Sequence, residues 1–185
     1  MPDFEEQKNI IDAAVEAGVK SLENGFFSFN LPARTAELHQ PGYHSHRFSW
    51  SNLSTVGEAV ARVLLAQNSP IVVNQYVRVR SFNASQDEIL KSLISVTARI
   101  ESARGLDTVE WKQINVDLEE KVVEARNTLA LGDTSKLRYI LSKTIYNTGG
   151  NFDDEGVVMN EKLGMMPPEG LEAAIERELI KLLPQ

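Results

Sequence analysis

The chain has 185 residues, 42% of them hydrophobic and 24% charged, which suits one ordinary domain with its own core and not a disordered chain. Nineteen basic against twenty-six acidic residues leave a net charge of −7, which argues against a broad nucleic-acid-binding face, and no run is basic enough to track phosphates. The absence of cysteine excludes disulfides, thiolate zinc sites, iron–sulfur clusters and cysteine nucleophiles in one step.

The N-terminus, Met1-Pro2-Asp3-Phe4-Glu5-Glu6, is acidic where a targeting peptide is basic, and no apolar run approaches the ~18 residues that span a bilayer. The chain therefore reads as cytoplasmic, without a membrane partner. Asp3 to Lys20 reads as a helix, with Ile11, Ala14, Val15 and Val19 at 3,4 spacing and Gly18 placed to end it. Glu23 to Trp50, rich in aromatic residues and broken by Gly25, Pro32, Pro41 and Gly42, reads as short strands and loops. Thr55 and Glu58 have capping-box spacing, and Val56, Ala59, Val60, Val63 and Leu64 predict one apolar helix face.

Asn68-Ser69-Pro70 stops that helix, and the alternation from Ile71 to Phe82 predicts a strand. Ser85-Gln86-Asp87-Glu88 is a second capping box, opening a helix through Ile89, Leu93, Val96 and Ile100 that ends near Gly105. Val109 to Val116 is a strand candidate around Trp111. Asp117 can cap a helix carrying Leu118, Val122, Ala125 and Leu129, ended by Gly132. Leu137, Ile140, Leu141 and Thr144 mark another helix, broken by Gly149-Gly150. Pro167 and Pro168 open a last helix holding Leu171, Ala174, Ile175, Leu179 and Leu182. The sum is a helix-rich α/β chain with a small sheet and no internal repeat.

Chemistry is harder to find. A dinucleotide fold needs a glycine-rich turn from strand to helix, so that backbone N–H groups reach the pyrophosphate. Neither G-x-G-x-x-G nor a Walker pattern occurs, and Gly149-Gly150 follows a helix, as a plain breaker does. His39, His44 and His46 can be drawn as a metal site, but a Pro/Gly-rich stretch with Glu37 as its nearby acid reads rather as a solvated loop. Ser45, between two histidines, lacks the strained elbow a nucleophilic serine requires. Asp153-Asp154-Glu155 and Glu119-Glu120 read as solvated faces, and Met165-Met166 as core filler. From residues alone, no catalytic residue and no metal ligand is assigned.

A resemblance adds to this. Phe4-Glu5-Glu6-Gln7-Lys8-Asn9-Ile10-Ile11-Asp12-Ala13-Ala14-Val15-Glu16-Ala17-Gly18-Val19-Lys20 resembles a helix phrase of the NmrA-like and isoflavone-reductase-like family, in its fungal-type members above all. Four more phrases agree in order. Asn24-Gly25-Phe26-Phe27 resembles that family's TGFF, and Leu53 to Leu64 resembles its L-x-TIG-x-AVA-x-VL. Asn74 to Phe82 with Ser85 to Leu90 resembles its YVYVASF and SQ-x-EIL, and Asn160-Glu161-Lys162-Leu163-Gly164 its closing NE-x-LG. The likeness extends over nearly the whole chain.

The resemblance implies an atypical relative of the short-chain dehydrogenases: a Rossmann domain with a smaller substrate domain, NADP as the usual cofactor, and a small, often aromatic or polyketide-like metabolite as substrate. Other members, of the nitrogen-repressor type, bind a dinucleotide and a protein partner without catalysis. It also implies that the family's glycine loop would lie before Asp3 and that the segment holding its lysine is deleted after Lys20, which itself ends the first helix. The expectation is a remnant Rossmann helix over 1–20 and an NmrA-like substrate-side domain over 21–185, truncated and internally deleted, with turnover impaired. The first helix, deprived of its sheet, is expected to pack elsewhere or fray. By the same resemblance Gly25 and Phe26 are the candidate cofactor contacts and Phe27 and Phe29 the candidate substrate contacts; by burial tendency alone these phenylalanines are core. A protein partner, which the acidic stretch 150–185 would face, or a homo-oligomer is the remaining expectation.

Overall fold

The computed structural model describes residues 28–147, 150–154, 156–165 and 170–182. The predicted first helix, Gly25, Phe26, Phe27, Met166, Pro167 and Pro168 lie outside the described residues. Within them the chain is mixed α/β. It runs β1 (Phe29–Asn30), β2 (Thr35–Gln40), a 3-10 turn (Tyr43–Ser45), β3 (Phe48–Trp50), α1 (Leu53–Leu65), β4 (Phe82–Ala84), α2 (Gln86–Ala103), β5 (Lys112–Asp117), α3 (Leu118–Ala130), α4 (Leu137–Asn147) and α5 (Leu171–Leu182). No helix among the described residues is long and apolar enough to cross a membrane.

Two small sheets result. β1 pairs antiparallel with β2, and β2 pairs parallel with β5 in a register that sets His39 beside Val116 and Gln40 beside Asp117. β3 and β4 form a separate antiparallel pair. Alternation along β2 divides the core. Ala36 and Leu38 face a cluster built by Ile89, Leu90, Leu93, Val96 and Ile100 of α2, with Leu179 of α5 behind. On the other side Val116 joins Leu118, Val122 and Ala125 of α3 and Tyr139 of α4.

Several elements follow from local chemistry. α2 opens on the predicted capping box: Ser85 Oγ accepts from Glu88 N–H at 3.2 Å, and Glu88 Oε2 accepts from Ser85 N–H at 2.9 Å. Ser85→Ala removes one half of it and is expected to cost about 1 kcal/mol, read as a lower urea midpoint at unchanged slope. Asp117 caps α3 as predicted, accepting from Glu120 N–H at 3.1 Å, and Gly132 closes it at φ 83°.

Three expectations are corrected. The cap of α1 is Asn52, whose Oδ1 accepts from Thr55 N–H at 3.0 Å, so Thr55 lies inside the helix and the Thr55/Glu58 box does not form. The single apolar face of α1 is split. Ala59 packs on Met159, Leu163 and Met165, whereas Val56, Val60 and Leu64 remain 41%, 40% and 57% exposed. The strand predicted over Ile71–Phe82 is a run of turns and extended chain, with strand pairing only from Phe82 onward. Its backbone is held otherwise: Arg78 forms one isolated bridge with Val158, and the Asn160 amide clasps Arg80 like a strand neighbour. There Asn160 Oδ1 accepts from Arg80 N–H at 3.1 Å and its Nδ2 donates to Arg80 C=O at 2.9 Å.

Candidate functional site

The three histidines do not share a solvated loop. His39 lies on β2 and is 2% exposed, because the strand continues up to Pro41 and the odd positions of β2 turn toward α4. His44, on the 3-10 turn, bonds Asp87 at 2.8 Å, and the His46 ring meets Tyr43 and Tyr146 edge-on. Among the described residues no group of three or more His, Asp or Glu side chains is placed to hold a metal ion.

Beside His39 lies a cavity of about 10 Å³, the space of one water, lined by Ser28, Phe48, Trp50, Gln86, Ser142, Ile145 and Tyr146. It sits where β2 ends, close to the N-terminus of α2. Its walls are aromatic: Phe48 stands 4.4 Å from Trp50 and 5.5 Å from Tyr146, centroid to centroid. Its floor is polar. His39 Nε2 is 3.1 Å from Ser28 Oγ, and Nδ1 is 3.2 Å from Tyr146 Oη and 3.4 Å from Gln86 Nε2. Ser28 holds a left-handed φ of 80°, a conformation that strains a residue with a Cβ.

Electrostatics keep this floor uncharged. Burial, and after it the charge of Arg138, lowers the His39 pKa to about 4, so the ring is neutral at physiological pH. Burial pushes the Tyr146 hydroxyl well above the usual phenol range, so it stays protonated. Arg138 is itself engaged by Glu37 at 3.0 Å and by the Tyr139 hydroxyl at 2.7 Å, one strand position pair away from the cavity.

A second polar cluster stands outside, at the carboxyl ends of β2 and β5. The Tyr43 hydroxyl donates to Glu119 Oε1 at 2.6 Å, and the Lys143 ammonium bonds both while lying 4.5 Å over the Tyr43 ring. These contacts hold the Glu119 carboxyl below, and the Lys143 amine above, their ordinary ranges. The cluster is largely solvated, so its contribution to stability is small.

Of the residues singled out from sequence, Gly25, Phe26 and Phe27 lie outside the described residues. Phe29 is 5% exposed and packs with Leu31, Ala36 and Leu38 in the core, away from the cavity lining. Its neighbour Ser28 is the residue that reaches the cavity. Sequence reasoning missed Ser28, Gln86 and Tyr146 as site residues; they meet across separations of 11 to 107 residues, which no local pattern encodes. No family model, no curated protein and no solved structure matches the chain.

Proposed function

We propose that this chain is the metabolite-binding, substrate-side part of an NmrA-like protein of the NADP-dependent reductase type, acting in the cytoplasm, with turnover impaired in the chain alone. The observation that carries the reading is the cluster of polar groups and aromatic rings around His39 near the end of β2, whose enclosed space of about 10 Å³ admits one ligand atom and not a whole metabolite. Open sheets with parallel strands bind ligands beyond the carboxyl ends of those strands, and small-metabolite sites combine apolar walls with a few placed donors. The cavity also adjoins Ser28, the residue next to the Asn24-Gly25-Phe26-Phe27 phrase that carries part of the family resemblance.

The first turns of α1, α2 and α3 do not fit the dinucleotide's pyrophosphate. An anion site at a helix N-terminus needs open N–H groups and no competing acid. α1 is capped by Asn52; α2 begins with its capping box and Asp87; α3 begins at Asp117 with Glu119 and Glu120 in its first turn. The reading therefore assigns the described part of this chain to the metabolite, and leaves Gly25 and Phe26 as the cofactor-contact candidates.

A second reading, a non-catalytic dinucleotide-sensing or partner-binding regulatory module of the nitrogen-repressor type, is favoured in its partner-binding form by the exposed Val56, Val60 and Leu64 of α1. Calorimetric titration of the folded chain with NADPH, and with NADH alongside, tests the reductase reading, and NADPH oxidation in the presence of an aromatic ketone then separates a reductase from a module that only holds the dinucleotide. The reductase reading expects micromolar NADPH binding. Silence up to millimolar cofactor overturns it and leaves the partner-binding module.

A further inference from the structure

α1 carries its charges on one flank and an apolar surface on its outer side. Its two charged residues, Glu58 and Arg62, stand together, 3.3 Å apart. Thr55 and Ala59 face inward, and Val63 packs with Met159, Leu163 and Met165. Leu53, Val56, Val60 and Leu64 follow one another along the outer side at spacings of three and four, and are 40%, 41%, 40% and 57% exposed. Gly57 and Ala61 lie exposed between them, and nothing stands within 4 Å of where a Gly57 side chain would be. A helix that is apolar outward as well as inward is one with a neighbour on both sides.

We propose that residues 4–19 of this chain dock on that face as a helix antiparallel to α1. Their sequence carries the matching pattern, with Ile11, Ala14, Val15, Gly18 and Val19 at the same 3,4 spacing. Sizes match as well as spacing. One antiparallel register, to within about one residue, sets Val15 and Ile11 against Gly57 and Ala61, and Val56 and Val60 against Gly18 and Ala14. Each branched side chain then meets a small one. The connection permits it. Ser28 lines the same cavity as Trp50, and α1 begins just beyond Trp50, at Leu53. The chain from Lys20 to Ser28 reaches up to about 26 Å, which exceeds the length of α1, about 20 Å. A second copy fits less well: a two-fold antiparallel pair of α1 helices centred on Val60 sets Val60 against itself and Val56 against Leu64, large against large. The inference goes beyond the reductase reading and does not rest on it. It gives the face that favours the partner-binding reading an occupant from the chain itself.

The test is amide hydrogen exchange on the full chain, read segment by segment by mass spectrometry. Residues 8–19 are expected to exchange at least about tenfold more slowly than an open chain. Val60→Glu puts a charge in the middle of the seam and keeps a good helix former there. It is expected to abolish that protection while α2 keeps its own. Open-chain exchange of residues 8–19 in the unaltered chain, or protection that survives Val60→Glu, overturns the proposal. Should Val60→Glu lose its fold, a cross-link decides. The chain has no cysteine, so Ile11→Cys with Ala61→Cys makes a unique thiol pair. Oxidation is expected to close it within one chain, giving a monomer without free thiols. A disulfide-linked dimer assigns the face to a second copy, and thiols that stay free leave it uncovered; either result overturns the proposal. Ile11→Cys with Val123→Cys, on the exposed side of α3, is the control expected to stay reduced. The NADPH titration is independent, so its silence overturns the reductase reading alone.

Discussion

Glu101→Gln is expected to cost about 3–5 kcal/mol of folding stability, a large part of what a domain of this size has. Glu101 Oε1 receives Arg34 Nη2 at 2.5 Å, with the two side chains 5% and 9% exposed. The other carboxylate oxygen accepts from Val109 N–H at 3.3 Å, and the Arg34 guanidinium lies 5.7 Å over the Trp111 ring. Arg34 C=O in turn receives Lys112 N–H at 2.7 Å, so the pair pins the segment that leads into β5 to the start of β2. Glutamine removes the negative charge and leaves a buried guanidinium whose Nη1 already has no hydrogen-bond partner among the described residues. The cost is that of the stranded charge more than of the lost pair. A control follows: Arg34→Met with Glu101→Leu removes both charges and is expected to recover most of the loss. Urea denaturation of the three variants decides. A loss below about 1 kcal/mol in Glu101→Gln would show that water reaches the guanidinium and that the pair is not sealed.

How far the sequence could be read depends on the range of the interaction concerned. Ser85 with Glu88, Asp117, Gly105 and Gly132 act on backbone groups within a turn of themselves, and each stands where the spacing predicts. Patterns that need a partner fared worse. The Val residues between Ile71 and Phe82 alternate like a strand, but Val72, Val77 and Val79 pack against α1 and Met159, while a single side chain, Asn160, supplies the backbone partner for Arg80. α1 is apolar around more of its circumference than its neighbours cover, so its buried side could not be told from its exposed one. His39 was hidden by Pro41 and Gly42, which mark a turn without saying that β2 runs right up to it. Glu101 and Arg34 carry no local signature: each is an ordinary charged residue until a fold brings them together across 67 positions. The candidate site is of the same kind, since Ser28 stands just after the phrase that drew attention to Gly25 and Phe26, and its partners come from β2, α2 and α4.

His39 makes the second large prediction, a loss of about 3 kcal/mol of stability between pH 6.5 and 4. Its free pKa of 6.5 falls to about 4 in the fold, first through burial and then through Arg138. Above 6.5 both states hold a neutral ring and nothing is gained or lost. Below it the unfolded chain binds a proton that the folded chain refuses, so stability declines until the folded ring titrates near 4. Most of what faces the ring opposes the charge: Gln86 and Tyr146 offer donors to Nδ1, and Arg138 is a cation partly offset by Glu37, whereas Ser28 Oγ, 3.1 Å from Nε2, can accept from the ring in either state. The carboxylates held low, Glu119, Glu124, Asp133 and Asp153, begin to lose their own contributions only as pH falls below their ordinary pKa values, about 4.5 and 3.8. The interval from 6.5 down to 4.5 therefore reports the histidine ahead of the acids. His39→Gln keeps a polar side chain that cannot titrate. It is expected to be less stable at pH 7 and to flatten the urea midpoint over that interval. A slope that persists in His39→Gln would assign it to another group.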